Sequence, residues 1–138
     1  MKLCCSPRQI EGCGIAVEPF HLDRSFSPAC ARSLAAAFRR HRVDVAHSHE
    51  FSMAVYGAWA SWLAGVPHVV TMHGSRYYAD RLRRRVALRS ALAASTRTVA
   101  VSTRLADQMS HELWIPRARI AMVSNGVRRA PPAEAQAR

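Results

Sequence analysis

Short apolar runs alternate with helix-like segments along this chain, and four of the runs end in small polar clusters. Residues 43–46 lead into His47, Ser48, His49 and Glu50; residues 69–72 into His73, Gly74 and Ser75; residues 98–101 into Ser102 and Thr103; residues 120–123 into Ser124, Asn125 and Gly126. Runs of this length bounded by turn residues predict buried strands. Between them, Ser27 and Pro28 set an N-cap hydroxyl before a proline at the first helical position. Cys30, Leu34 and Phe38 then repeat at helical spacing. Residues 52–64 predict an almost wholly apolar helix that Gly65 can close in a left-handed cap and Pro67 prevents from continuing. Residues 81–94 predict a helix, and Ser102 caps another in which Leu105, Met109 and Leu113 share a face before Pro116. Residues 15–20 predict a short strand that Pro19 cuts off. Strands alternating with helices over short connections imply βαβ units, hence an α/β fold with a right-handed, doubly wound parallel sheet. In such sheets ligands bind beyond the strands' carboxyl ends, where the four polar clusters fall.

A chain of 138 residues with 49% apolar composition can build one domain with a sizeable core. Residues 1–14 carry little pattern, and the Pro- and Ala-rich segment 128–138 reads as a disordered tail. The net charge is +11, and every cation except Lys2 is an arginine. That balance fits an anionic partner, and it equally fits the Ala- and Arg-rich composition of a GC-rich genome. No nucleic-acid module is visible, so nucleic acid is not expected as a partner. Arg81, Arg83, Arg84, Arg85 and Arg89 crowd one helix but lie all round it, which fits a solvated basic face or peripheral contact with an anionic membrane better than an amphipathic membrane helix. Four cysteines without a C-x-x-C pair read as reduced thiols of a cytoplasmic protein. The longest apolar stretch is shorter than the about 20 residues a bilayer span needs.

The clusters offer several chemistries. His47, His49 and Glu50 could ligate zinc or iron with His73 as a third histidine, could bind substrate without metal, or could be a polar strand end. His73 followed by Gly74 suits contact with a phosphate or sugar hydroxyl, with a turn beside a hydrogen-bonded core histidine as the alternative. Ser102 reads first as a helix cap and second as a hydroxyl beside an anion-binding helix N-terminus. Asn125 and Gly126 make a turn that could line a site or act as a hinge. Gly-rich dinucleotide, Walker and nucleophile-elbow motifs are all missing.

Taken together, Val43-Asp-Val-Ala-His-Ser-His-Glu50, Val66-Pro-His-Val-Val-Thr-Met-His-Gly74, Val99-Ala-Val-Ser102 and Arg119-Ile-Ala-Met-Val-Ser-Asn-Gly-Val127 resemble the N-terminal domain of family 4-like glycosyltransferases. These are retaining enzymes built from two Rossmann-like domains, the GT-B fold. The resemblance covers about residues 15–127 and rests on the order and spacing of four motifs rather than on any one. It implies transfer of a sugar from a nucleotide-sugar donor to a lipid, saccharide or small-molecule acceptor, as in cell-envelope polysaccharide synthesis. The N-terminal domain would hold the acceptor, with His73 facing the reacting sugar and diphosphate as the catalytic residue. His49, Glu50, Gly74, Ser75, Ser102, Asn125 and Gly126 would be its supporting cleft residues. No metal or other cofactor is implied.

The match lacks the family's opening strand with its glycine-rich turn and the donor-binding C-terminal domain. It therefore implies an incomplete Rossmann-like unit that does not turn over alone. Two other classes remain open at this point: a stand-alone module binding an acceptor or an anionic lipid, and a metal-dependent hydrolase built on His47, His49 and His73. The expected location is cytoplasmic, with peripheral contact at the inner membrane face as its extension.

Overall fold

The structure, a computed structural model, describes residues 10–18, 20, 27–75, 78 and 81–126. Four strands form one parallel sheet in the order β1 (Ala46–His49), β2 (His68–Met72), β3 (Arg97–Ala100) and β4 (Ile120–Met122). Helix α1 (Pro28–Arg40) precedes β1. Helices α2 (Glu50–Ala64), α3 (Leu82–Ala94) and α4 (Thr103–Leu113) carry the three crossovers, and a 3-10 turn, Arg117–Arg119, enters β4. Parallel neighbours require such crossovers. Three steps in one direction with one hand place α2, α3 and α4 on the same face of the sheet.

The register explains the core. Ala46 pairs with His68, Ser48 with Val70, Val70 with Thr98, and Thr98 with Ile120, so these side chains share the helix-covered face. There Val70, Met72, Ala100 and Ile120 meet Ala54, Leu88, Leu92, Leu105, Met109 and Leu113. Full burial of a Leu, Met or Val contributes about 1.5–3 kcal/mol each. The opposite face carries His47, His49, Val69, Thr71 and Val99.

Most expected elements form for the expected reasons. Ser27 Oγ accepts from the Cys30 amide at 3.3 Å with Pro28 at the first turn. Ser102 Oγ accepts from the Leu105 amide at 3.2 Å. Gly65 closes α2 at φ +73°, in the left-handed region.

Three expectations need correction. The strand expected over residues 15–20 is absent: described residues 15–18 and 20 have no regular structure, and Glu18 instead holds Arg40 and His41 at 2.6 and 2.9 Å. The first strand begins at Ala46 rather than Val43. Arg42 sits at φ +50° and the Val43 amide donates back to the Phe38 carbonyl, so the turn out of α1 consumes these residues. On α1, Ala31 and Ala35 are the fully buried positions, while Cys30, Leu34 and Phe38 are half-buried. Close packing of α1 on α2 puts the small side chains at the contact line and the larger ones beside it. The proposed tail, residues 128–138, and the segment 1–9 lie outside the described residues.

No helix among the described residues is long and apolar enough to cross a membrane.

Candidate functional site

The carboxyl ends of β1 and β2 bring three histidines and a glutamate together on the sheet's open face. Alternation along β1 buries Ala46 and Ser48 and exposes His47 and His49. His47 Nε2 lies 2.8 Å from Thr71 Oγ1, on the neighbouring strand. The His47 and His49 rings are 4.4 Å apart between centroids. His49 Nδ1 lies 3.0 Å from His73 Nε2, with the rings nearly stacked at 5.3 Å. Burial, then the neighbouring His47 and His73, hold His49 below the ordinary imidazole range, and Glu50 pulls the other way.

Glu50 makes the turn from β1 into α2 at φ +65°. A side chain in this left-handed region costs about 1–2 kcal/mol. Its carboxylate accepts the backbone N–H of His73 at 2.9 Å. By then β1 has turned away, so the carboxylate takes an amide that no strand carbonyl on that side can reach.

The other expected site residues follow β2, β3 and β4 at the same sheet edge without joining this cluster. Gly74 and Ser75 are half-buried, and a side chain at position 74 would meet nothing within 4 Å, so packing does not require the glycine. The Ser102 hydroxyl is engaged as the cap of α4. Asn125 and Gly126 are exposed beyond β4.

No group of three or more His, Cys, Asp or Glu side chains among the described residues is arranged to hold a metal ion.

Directly behind the cluster, on the covered face, lies a buried polar network that the sequence pattern did not reveal. His68 is 2% exposed; its Nδ1 is 2.8 Å from Ser95 Oγ and its Nε2 is 2.8 Å from Ser48 Oγ. Ser95 gives its hydroxyl proton to the Ala91 carbonyl at 2.7 Å, so it must accept from His68 Nδ1–H, and Ser48 then donates to Nε2. Burial, then His47, lowers the His68 pKa to about 4. The only hints in the sequence were Ser48 at an inward strand position and Gly57 within an apolar helix.

Four arginines of the run fall into two pairs. Arg85 donates through Nε and Nη2 to the Glu112 carbonyl at 3.2 and 2.7 Å. Arg89 donates to the Leu113 and Trp114 carbonyls at 2.8 and 3.0 Å, and both guanidinium groups lie over the Trp114 ring. These two arginines satisfy the otherwise unpaired carbonyls at the end of α4. Arg81 and Arg83 are exposed. On the helix layer, Val55, Trp59 and Trp62 of α2 and Ala87, Ala91 and Ala94 of α3 line an open apolar groove of about 390 Å³.

A family model described as Glycosyltransferase Family 4 matches residues 6–130. No curated protein matches the chain significantly.

Proposed function

This chain belongs to glycosyltransferase family 4, and on that premise we propose that the sheet edge around His73 is the acceptor-side wall of a sugar-transfer cleft of the GT-B type. The observation that carries the reading is the assembly of His73, His49 and Glu50 at the carboxyl end of a parallel sheet. A nucleotide-sugar donor and a hydroxyl-bearing acceptor are the partners this family implies in general. An imidazole there can accept a proton from a hydroxyl or donate a hydrogen bond to a phosphate oxygen. In this reading Gly74, Ser75, Asn125 and Gly126 line the wall, and transfer requires a donor-binding domain opposite it. The 138-residue chain by itself is then expected to show no turnover.

Chemical-shift mapping with UDP-glucose, GDP-mannose and simple hexosides tests this. Perturbations centred on His73, Gly74 and Asn125 that vanish in His73→Ala support it. Perturbations confined to other surfaces overturn it. The metal-dependent hydrolase reading has no supporting geometry among the described residues.

A second reading concerns the acceptor's setting and is favoured by the α2–α3 groove. Trp62 is 75% exposed at its rim, and Arg81 and Arg83 are exposed on the same helix layer. An exposed tryptophan and exposed arginines on one helix layer suit an anionic lipid interface. Co-sedimentation with anionic vesicles at low salt, weakened in Trp62→Ala and in Arg83→Ala, is the expected result, and no sedimentation with anionic vesicles removes this reading.

A further inference from the structure

We propose that His49 and Glu50 are positioning residues for His73: Glu50 fixes its backbone, His49 fixes its ring, and Nδ1 of His73 is left as the ring atom offered to a ligand oxygen. The inference rests on the reading of His73 as the histidine of the sugar-transfer cleft. It changes the part assigned to its two neighbours, which act through His73 rather than on the ligand.

Two restraints converge on one residue. The first is the Glu50 carboxylate, which holds the His73 amide at 2.9 Å from a residue at φ +65°. Glycine would make that turn without strain but could not reach the amide, so the unusual backbone is explained by what the side chain holds. The second restraint is the His49 ring, 3.0 Å from Nε2 of His73. His49 is itself braced by His47 at 4.4 Å between ring centroids, and His47 by Thr71 at 2.8 Å. The column therefore runs from Thr71 through His47 and His49 to His73.

Proton counting limits what the pair can do. An N–H···N bond needs one ring nitrogen with a proton and one without, and two imidazolium rings offer only donors. The bond holds while one partner stays neutral. The groups acting on His49 are His47, His73 and Glu50, and burial together with the two histidines disfavours its charged form. His49 is thus suited to be the neutral partner, and where it accepts at Nδ1 from the Nε2–H of His73, His73 holds a single tautomer.

The test uses the full chain without ligand. Imidazole ¹⁵N shifts should show His73 in one tautomer, and His49→Ala should convert it to a rapidly exchanging mixture. The His73 amide should exchange with solvent about tenfold faster in Glu50→Ala, while Glu50→Gln, whose carboxamide oxygen still accepts, should stay near the parent rate. Glu50→Gly should also lose protection at His73 while its global unfolding midpoint does not fall, which separates loss of the tether from loss of the fold. An unchanged His73 tautomer in His49→Ala, or equal His73 exchange in Glu50→Ala and the parent, overturns the proposal. If these results hold and nucleotide sugars leave His73 unperturbed, the cleft reading fails while the positioning roles stand.

Discussion

Gly57 lies so close to Ser48 that a β-carbon on it would overlap the serine hydroxyl and stand 2.7 Å from Nε2 of His68. Helix α2 therefore presses on β1 at the point where the buried histidine network passes. Gly57→Ala is expected to cost about 1–3 kcal/mol through overpacking. Ser48→Ala in the same chain should recover part of that loss, because it removes the overlapped oxygen. Urea midpoints of the two single variants and the double variant check this, and strictly additive losses count against it.

The His68 network makes stability depend on pH in one direction. The folded-state pKa is about 4, below the ordinary 6.5. Between those values the unfolded chain binds the proton and the folded chain does not, so stability falls as pH falls through that window. The full effect is about 3 kcal/mol. Urea midpoints at pH 7.5 and 4.5 should differ less in His68→Gln than in the parent, and an equal difference in both would exclude His68 as the source.

Arg85 and Arg89 tie α3 to the end of α4. Either arginine replaced by alanine is expected to lose about 1–2 kcal/mol, since charge-assisted bonds to helix-end carbonyls are stronger than neutral ones. Arg83→Ala, with its exposed side chain, should stay within about 0.5 kcal/mol of the parent. Thermal melts of the three variants read the contrast directly.

Glu18 offers an opposite case. Hydrogen bonds from His41 and then Arg40 lower its pKa, yet the group is exposed. Surface pairs of this kind contribute little. Glu18→Gln should leave the unfolding midpoint unchanged within error at neutral pH, and a clear drop would show that the segment before α1 is held more firmly than its contacts indicate.

The sheet was legible because its strands are short apolar runs closed by turn residues, and β2 falls on the expected residues His68–Met72. The caps at Ser27, Gly65 and Ser102 were legible because each is a local bond set by one residue type. The strand expected near Ile15 failed because β propensity without a pairing partner does not make a strand. At the site, pattern alone placed His49, Glu50 and His73 on one edge. It could not show that they face each other, because a 3.0 Å approach depends on register between β1 and β2, which no local signal carries. His68 was hidden for the same reason: its partners Ser48 and Ser95 lie 20 and 27 residues away.

The clamp on α4 also bears on how this chain could be re-engineered for handling. With a net charge of +11, the obvious route to a better-behaved sample is to exchange surface arginines for lysine or glutamine. At Arg83 that exchange costs the fold little. At Arg85 a lysine has a single terminal nitrogen and cannot donate to the Glu112 carbonyl from two nitrogens, as Nε and Nη2 do. Charge reduction guided by composition alone would therefore loosen the fold at a stretch of the surface where the arginines have become part of the frame.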